Sequence, residues 1–236
     1  MIYLFFLIAF IYSSAGFGGG SMYISVLTQT TSLPSHLLRL HALVCNAIVT
    51  GQGIVQWKNN ISFPKQGIGL LVSAAIPCAI AVFFPLSEVY FLKTLGCALL
   101  LAGTTMLLQE KWQSITIQLN STVLYFCSGL IGTLAGFTGI GGGIYLSPLL
   151  HLSKWGDAKK IAQLSSWFIF LNSIVSILIL YLHDSTRIEF EWTWMIAVLL
   201  GGLLGSRMSI SWLQQKHIRW LTAILLIFAG IRVLMK

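Results

Sequence analysis

The sequence predicts an all-α membrane protein of about eight transmembrane helices, in two internal repeats of four with a glycine-broken first helix in each repeat. Three observations predict it. Of 236 residues, 56% are hydrophobic and 8% charged, where an average soluble protein carries about 25% charged residues. The apolar stretches reach the roughly 20 residues that a helix needs to cross a bilayer, and they lack the strict alternation of outer-membrane strands. A glycine cluster also occurs twice, as Ala15-Gly16-Phe17-Gly18-Gly19-Gly20 and as Ala135-Gly136-Phe137-Thr138-Gly139-Ile140-Gly141-Gly142-Gly143. Both copies open on A-G-F and close on G-G-G.

Glycine inside a helix costs about 1 kcal/mol relative to alanine, so such clusters mark interruptions. Broken helices at corresponding places in two halves point to a transporter binding site. Unwound backbone at membrane depth is tolerated only where protein buries it or where it lines a cavity. The alternative is that these glycines only let neighbouring helices approach closely.

Taken in order, residues 1–29 form a discontinuous first span. A turn at Thr30 to Pro34 follows, with Ser35 as the N-cap of a second span running to about Trp57. The third span is 67–84 with Pro77 as an expected kink, and the fourth is 89–108. The fifth, 121–150, is again discontinuous, and 161–181, 192–212 and 218–235 complete the set. The first repeat is read as 1–110, the linker as 111–120 and the second repeat as 121–236. Gly143 follows Gly20 at an offset of 123 residues, and Asn172 follows Asn46 at 126. A steady offset over this distance is duplication. Four crossings per half make the repeats parallel, whereas a re-entrant hairpin at the glycines would invert them.

The net charge of +8 arises from basic residues at span ends, which reflects topology rather than nucleic acid. Eight crossings place both termini outside the cytoplasm. Met1 leads into an apolar run without a basic n-region, so the first helix is expected to stay in the protein. Cys45, Cys78, Cys97 and Cys127 stand singly in apolar runs and read as buried free thiols; no metal or cofactor is expected.

A broken helix presents free N–H groups and a partly positive end at the start of its second half, and such ends bind anions. Gly18, Gly19, Gly20, Gly141, Gly142 and Gly143 are therefore the expected substrate-binding backbone. Arg39 is either an anion partner or a side chain snorkelling to the interface. Asn46 and Asn172 are either substrate donors or interhelix links. Arg207 reads as snorkelling and His41 as a hydrogen-bonded core residue. No acid lies deep in a span, which disfavours a carboxylate proton relay.

The paired glycine segments, with Ser165-Ser166 and Gly205-Ser206-Arg207, resemble the TauE/SafE sulfite exporter family, also called toluene sulfonate uptake permeases. The resemblance implies a multi-pass inner-membrane permease for anions such as sulfite, sulfonates or sulfoacetate. Departures lie in the first half, where Ser25 stands at the place of Pro148 and Pro77-Cys78 replaces the pattern at Gly201 to Gly205. Partners that fit are a small anionic substrate, the lipid bilayer and, in a homodimer, a second copy of the chain; nucleic acid is not among them. Carriage of another anion, a cation or a metal is the alternative. A membrane enzyme is disfavoured because no nucleophile, base and orienter are set together.

Overall fold

The computed structural model describes residues 1–14, 16–56, 65–84, 86–112, 119–183, 191–208 and 215–235. Among them are ten helices and no strand: α1 (Ile2–Ser14), α2 (Gly20–Thr30), α3 (Ser35–Gln56), α4 (Lys65–Phe83), α5 (Glu88–Trp112), α6 (Ser121–Thr138), α7 (Gly143–Leu152), α8 (Ala158–His183), α9 (Trp192–Met208) and α10 (Gln215–Leu234). Most of the polar connections expected at 58–65 and 183–191, and residues 113–118 of the expected 111–120 linker, fall outside the described residues. Among those residues five helices are long and apolar enough to cross a membrane: α3, α4, most of α5, α6 and most of α8. Their outer faces are apolar. On α4, for example, Ile68, Val72, Ile76 and Ile80 recur every fourth residue and are all exposed, as a lipid-facing stripe requires. Cys97 is likewise exposed, so it is not the buried thiol expected, whereas Cys45 and Cys78 are buried.

Both glycine clusters interrupt helix, as the sequence suggests, but each also reverses the chain. α1 and α2 have 13 and 11 residues, which at 1.5 Å per residue is about 20 and 16 Å, short of the roughly 30 Å hydrocarbon core. Their relative direction follows from contacts. Gly201 and Gly205 of α9 lie against Phe6 and Phe10 of α1, so these helices run parallel. His41 meets Trp194, and Gln52 donates to the Leu199 carbonyl, so α3 also runs with α9. With α1 and α3 parallel, α2 between them is a return stroke. The stacking of Tyr23 on Phe5, with ring centroids 5.1 Å apart, places the start of α2 back beside the first half of α1.

The same reasoning applies downstream. Gly129 and Gly136 of α6 face Ser73 and Cys78 of α4 in parallel order, and Cys78 reaches Asn172 and Ser176 of α8. Gly67, near the start of α4, faces Leu164, earlier on α8, so α4 and with it α6 run parallel to α8, and α7 is the return. Gly51 faces Phe170 while Gly53 faces Ser166, so α3 and α8 are antiparallel. α1 consequently runs opposite to α6. This corrects the four-crossing, parallel arrangement expected from span counting, because each broken segment is a re-entrant hairpin and changes the parity.

The main helix pairs are α4 with α6, α1 with α9, α5 with α10 and α3 with α8. Glycine sets the closeness of the first two. A Cβ on Gly132 would stand 2.8 Å from the Ala74 Cα, and one on Gly205 2.8 Å from the Phe10 carbonyl carbon; both are backbone atoms that cannot rotate away. The Gly132→Val variant is therefore expected to lose about 3 kcal/mol through overpacking. Gly53→Ala, whose nearest neighbour is the Ser166 hydroxyl at 4.0 Å, should match or exceed the unaltered protein. Thermal unfolding in detergent micelles compares the two.

Candidate functional site

The two hairpin tips, residues 16–19 and 139–142, come together in the interior, and their glycines are all buried. They share left-handed glycines at two matching places, while Gly141 is left-handed and Gly18 is not. Gly19 and Gly142 stand immediately before α2 and α7 in the left-handed region, with φ of 83° and 81°. Only glycine enters that region without a steric penalty. Gly16 and Gly139 are left-handed as well. The spatial equivalence is thus 16 with 139 and 19 with 142, a constant offset of 123. Ala135-Gly136-Phe137, aligned by sequence with the first tip, are still helical in α6.

Asn46 of α3 lies between the tips and is fully buried. Its Oδ1 accepts the Gly20 N–H at 2.8 Å, and its Nδ2 donates to the Ile140 carbonyl at 2.9 Å. One side-chain amide thereby satisfies the first N–H of α2 and a carbonyl of the other hairpin. A carboxamide suits this place because it carries a donor and an acceptor on one planar group. Gly18 and Gly20 leave the room it occupies: a Cβ on either would collide with the amide.

Asn172 does not occupy the matching position. In the second half Ile169 stands over Gly143, and Ser173 stands beside Gly141 with its hydroxyl 3.4 Å from where a Cβ would be. At the constant offset, Ile169 is the counterpart of Asn46 and Ser173 of Thr50. Asn172 sits one turn further on, donating to the Gly141 carbonyl at a long 3.4 Å, with its Oδ1 unpaired. Neither α2 nor α7 is capped by its own N-cap residue, which is a glycine in both. The two positive helix ends are still unlike: Asn46 occupies the first, and the second faces Ile169 and Phe168.

Arg39 is 3% exposed, so it does not snorkel. α6 covers it. The guanidinium donates through Nη2 to the Gly136 carbonyl, Nε has no partner, and Gly139 packs on the side-chain stem. A cation beside the last turn of α6 complements the partial negative charge of that helix end. The buried polar and charged residues of the described structure include no Asp or Glu. Around Arg39 the polar neighbourhood extends to Cys78, Ser176 and Asn172, with the Cys78 Sγ 3.4 Å from the Ser176 Oγ. Sequence reasoning gave Cys78 only as a buried thiol and assigned no role to Ser173 or Ser176. Its available signal was the polar spacing 172, 173 and 176 along one apolar helix.

Ser166 of α8 donates to the Gly16 carbonyl at 2.9 Å, so each central helix grips the hairpin of the other half. Ser165 is buried with its hydroxyl unpaired. His41 is buried, with Nδ1 2.8 Å from the Leu37 carbonyl, and Arg207 is exposed. Among the described residues, no group of three or more His, Cys, Asp or Glu is placed to hold a metal ion.

The family model described as "Sulfite exporter TauE/SafE" matches residues 1–233. The chain belongs to the TauE/SafE family. Relatives within reach of sequence comparison include a probable membrane transporter protein, y4hK, of Sinorhizobium fredii, 27% identical over 98% of this chain and 95% of the relative. Another is a probable membrane transporter protein of Haemophilus influenzae, 24% identical over 67% of this chain and 63% of the relative. No solved structure matches the chain. As a TauE/SafE protein with five helices, among the described residues, long and apolar enough to cross a membrane, it is a multi-pass membrane transporter.

Removing the Asn46 amide strands a buried N–H and a buried carbonyl, each worth about 1–3 kcal/mol. Asn46→Ala should therefore lower stability by about 2–6 kcal/mol, as read from unfolding in detergent. Asn46→Asp keeps the acceptor for Gly20 but turns an oxygen toward the Ile140 carbonyl, and should rescue little. Asn172→Ala, with one long hydrogen bond, should cost about 1 kcal/mol.

Proposed function

We propose that this TauE/SafE protein is an inner-membrane permease that exports a small sulfur-containing oxyanion, of the sulfite, sulfonate or sulfoacetate type, by alternating access. The observation that carries the reading is Arg39, a buried cation with a free Nε at the tip of the second hairpin and no buried carboxylate among the described residues. A buried charge is costly unless paired, and a planar guanidinium is suited to a multi-oxygen anion. The family description, which names sulfite, supports the same class of substrate.

On this reading the anion sits against Arg39 and the second tip, Gly141 to Gly143, with the Ser173 hydroxyl as a side-chain donor and the second Nδ2 hydrogen of Asn172 as another. Gly18 to Gly20 and Asn46 form the opposing wall. The opposite directions of α1 and α6 support treating α1–α5 and α6–α10 as inverted repeats, with the first half ending near residue 110 and the second beginning near 121. Inverted repeats give two conformations by exchanging the roles of their halves.

Orientation follows from charge. Lys65, Lys111, Lys154, Lys159, Lys160, Arg207, Lys216 and Arg219 lie at the helix ends of one face, against Lys93 and Arg232 at the other. Placing the basic face in the cytoplasm puts both termini outside. An anion leaving an inside-negative cell gains about 2.3 kcal/mol per charge per 100 mV, so export needs no coupling ion.

The test is efflux of radiolabelled sulfite from proteoliposomes. Efflux should accelerate with an inside-negative potential and fall at least about tenfold in Arg39→Gln, the factor for one charged hydrogen bond. Arg39→Lys should retain part of the rate. Equal efflux from Arg39→Gln and the unaltered protein would refute the assignment, and stronger competition by sulfate, thiosulfate or a sulfonate would redefine the substrate.

A further inference from the structure

The helices do not pack by sequence halves. Among the described residues, α4 of the first half packs on α6 and α8 of the second, and α9 of the second packs on α1 and α3 of the first. The α4–α6 and α1–α9 contacts are the glycine-set ones described above, and the polar contacts divide the same way. Ser128 of α6 donates to the Leu70 carbonyl of α4 at 2.7 Å, and the Trp155 indole, just beyond α7, donates to Gln66 Oε1 of α4 at 3.0 Å. On the other side, Gln52 of α3 donates to the Leu199 carbonyl of α9, and Trp194 of α9 lies against Phe5 and His41. α5 and α10 cross each other. Beyond that crossing α5 touches α6 and α7, while α10 touches α1 and α2. Two bodies result, α1–α3 with α9 and α10, and α4–α8. The chain passes from one to the other between α3 and α4 and again between α8 and α9.

We propose that these two exchanged bodies, rather than the two sequence halves, are the units that move in transport, with the α5–α10 crossing as the pivot and the α3–α8 seam as the part that opens. The proposal rests on the permease reading above. At the crossing, backbone meets backbone. A Cβ on Gly96 would stand 3.2 Å from the Gly230 carbonyl oxygen, one on Gly230 3.1 Å from that of Gly96, and one on Gly103 2.9 Å from that of Ala223. Small residues that let backbones approach this closely hold two helices together, and close packing of this kind resists sliding. The α3–α8 seam is built of side chains. A Cβ on Gly51 would meet the Phe170 ring at 3.3 Å, and one on Gly53 the Ser166 hydroxyl at 4.0 Å. The hydrogen bonds that tie the two bodies together at the tips run from Arg39 to Gly136, from Asn46 to Ile140 and from Ser166 to Gly16, and side-chain bonds of this kind can break and re-form. Each body carries one hairpin tip to the seam. Rocking one body on the other about α5–α10 therefore opens the seam at one end as it closes at the other. Moving α1–α5 against α6–α10 would instead break the glycine-packed α4–α6 and α1–α9 contacts together.

The test uses disulfides in a background without the native cysteines. Two pairs each join one sequence half to the other: Gly53→Cys with Ser166→Cys across the seam, and Gly67→Cys with Leu164→Cys inside the second body, where a Cβ at 67 lies 3.6 Å from Leu164 Cδ1. Each variant is reconstituted and oxidised with iodine, and disulfide formation is scored by the loss of thiols that react with a maleimide-polyethylene glycol. Radiolabelled sulfite flux is measured before and after reduction. Cross-linking the seam pair should cut flux at least about tenfold, reversibly, whereas cross-linking the 67–164 pair should leave it within about twofold of the reduced form. Arrest by both cross-links would mean that the sequence halves move, and would overturn the proposal. Undiminished flux with the seam cross-linked would overturn it as well, and failure of either pair to cross-link would contradict the packing that defines the bodies. In each of these cases flux in the reduced forms leaves the permease reading standing; absence of any anion flux in the unaltered protein would overturn both.

Discussion

A single side-chain amide between two interrupted helices is the interaction on which the rest of this structure depends. Hairpin loops at membrane depth carry backbone N–H and carbonyl groups that no water satisfies, and each unsatisfied group costs several kcal/mol. Asn46 answers this at the point of closest approach, taking the Gly20 N–H with one atom and giving a proton to the Ile140 carbonyl with another. The glycines around it follow from that geometry. Gly18 and Gly20 clear the space for the amide, and Gly19 supplies the left-handed turn that starts α2 beside it. The tips are therefore joined to each other through α3 rather than each packing within its own half.

The crossed grip has a consequence for motion. Arg39 and Asn46 of α3 bind the second hairpin at Gly136 and Ile140, and Ser166 of α8 binds the first at Gly16. Any displacement of one hairpin relative to the opposite central helix exchanges these hydrogen bonds together. Packed interfaces of this kind switch between discrete arrangements instead of deforming continuously. The two tips are also unlike each other. The first is closed by a carboxamide, whereas the second meets Ile169 and leaves the hydroxyl of Ser173 and the Oδ1 of Asn172 unpaired.

Much of the fold was legible in the sequence. Hydropathy located the spans to within a few residues, and glycine cost located both interruptions, because these depend on local composition alone. The reversal at each interruption was harder to read, since hydropathy reports length and not direction. One clue was present: 29 apolar residues make about 43 Å of helix, well beyond one crossing. The pairing of Asn46 with Asn172 failed for a related reason. Sequence alignment matched identical residues at an offset of 126, while the left-handed glycines of the tips and their neighbours correspond at 123, which puts Ile169 in the place of Asn46. Arg39 was ambiguous because its depth along α3 suited snorkelling; its burial comes from α6, a partner almost a hundred residues away that no local pattern announces.

The decisive measurement is the sidedness of the link between α2 and α3. A single cysteine at Ser32, in a background without other cysteines, can be labelled with a membrane-impermeant maleimide in sealed vesicles of known orientation, with a second cysteine at Gly156 and a tag on the N-terminus as references. If the glycine cluster is a re-entrant tip, the cysteine at 32 reacts from the same side as the N-terminus and the one at 156 from the opposite side. Labelling of position 32 from the side opposite the N-terminus would mean that α1 and α2 cross the bilayer once between them, and the meeting of two hairpins at Asn46 would be contradicted.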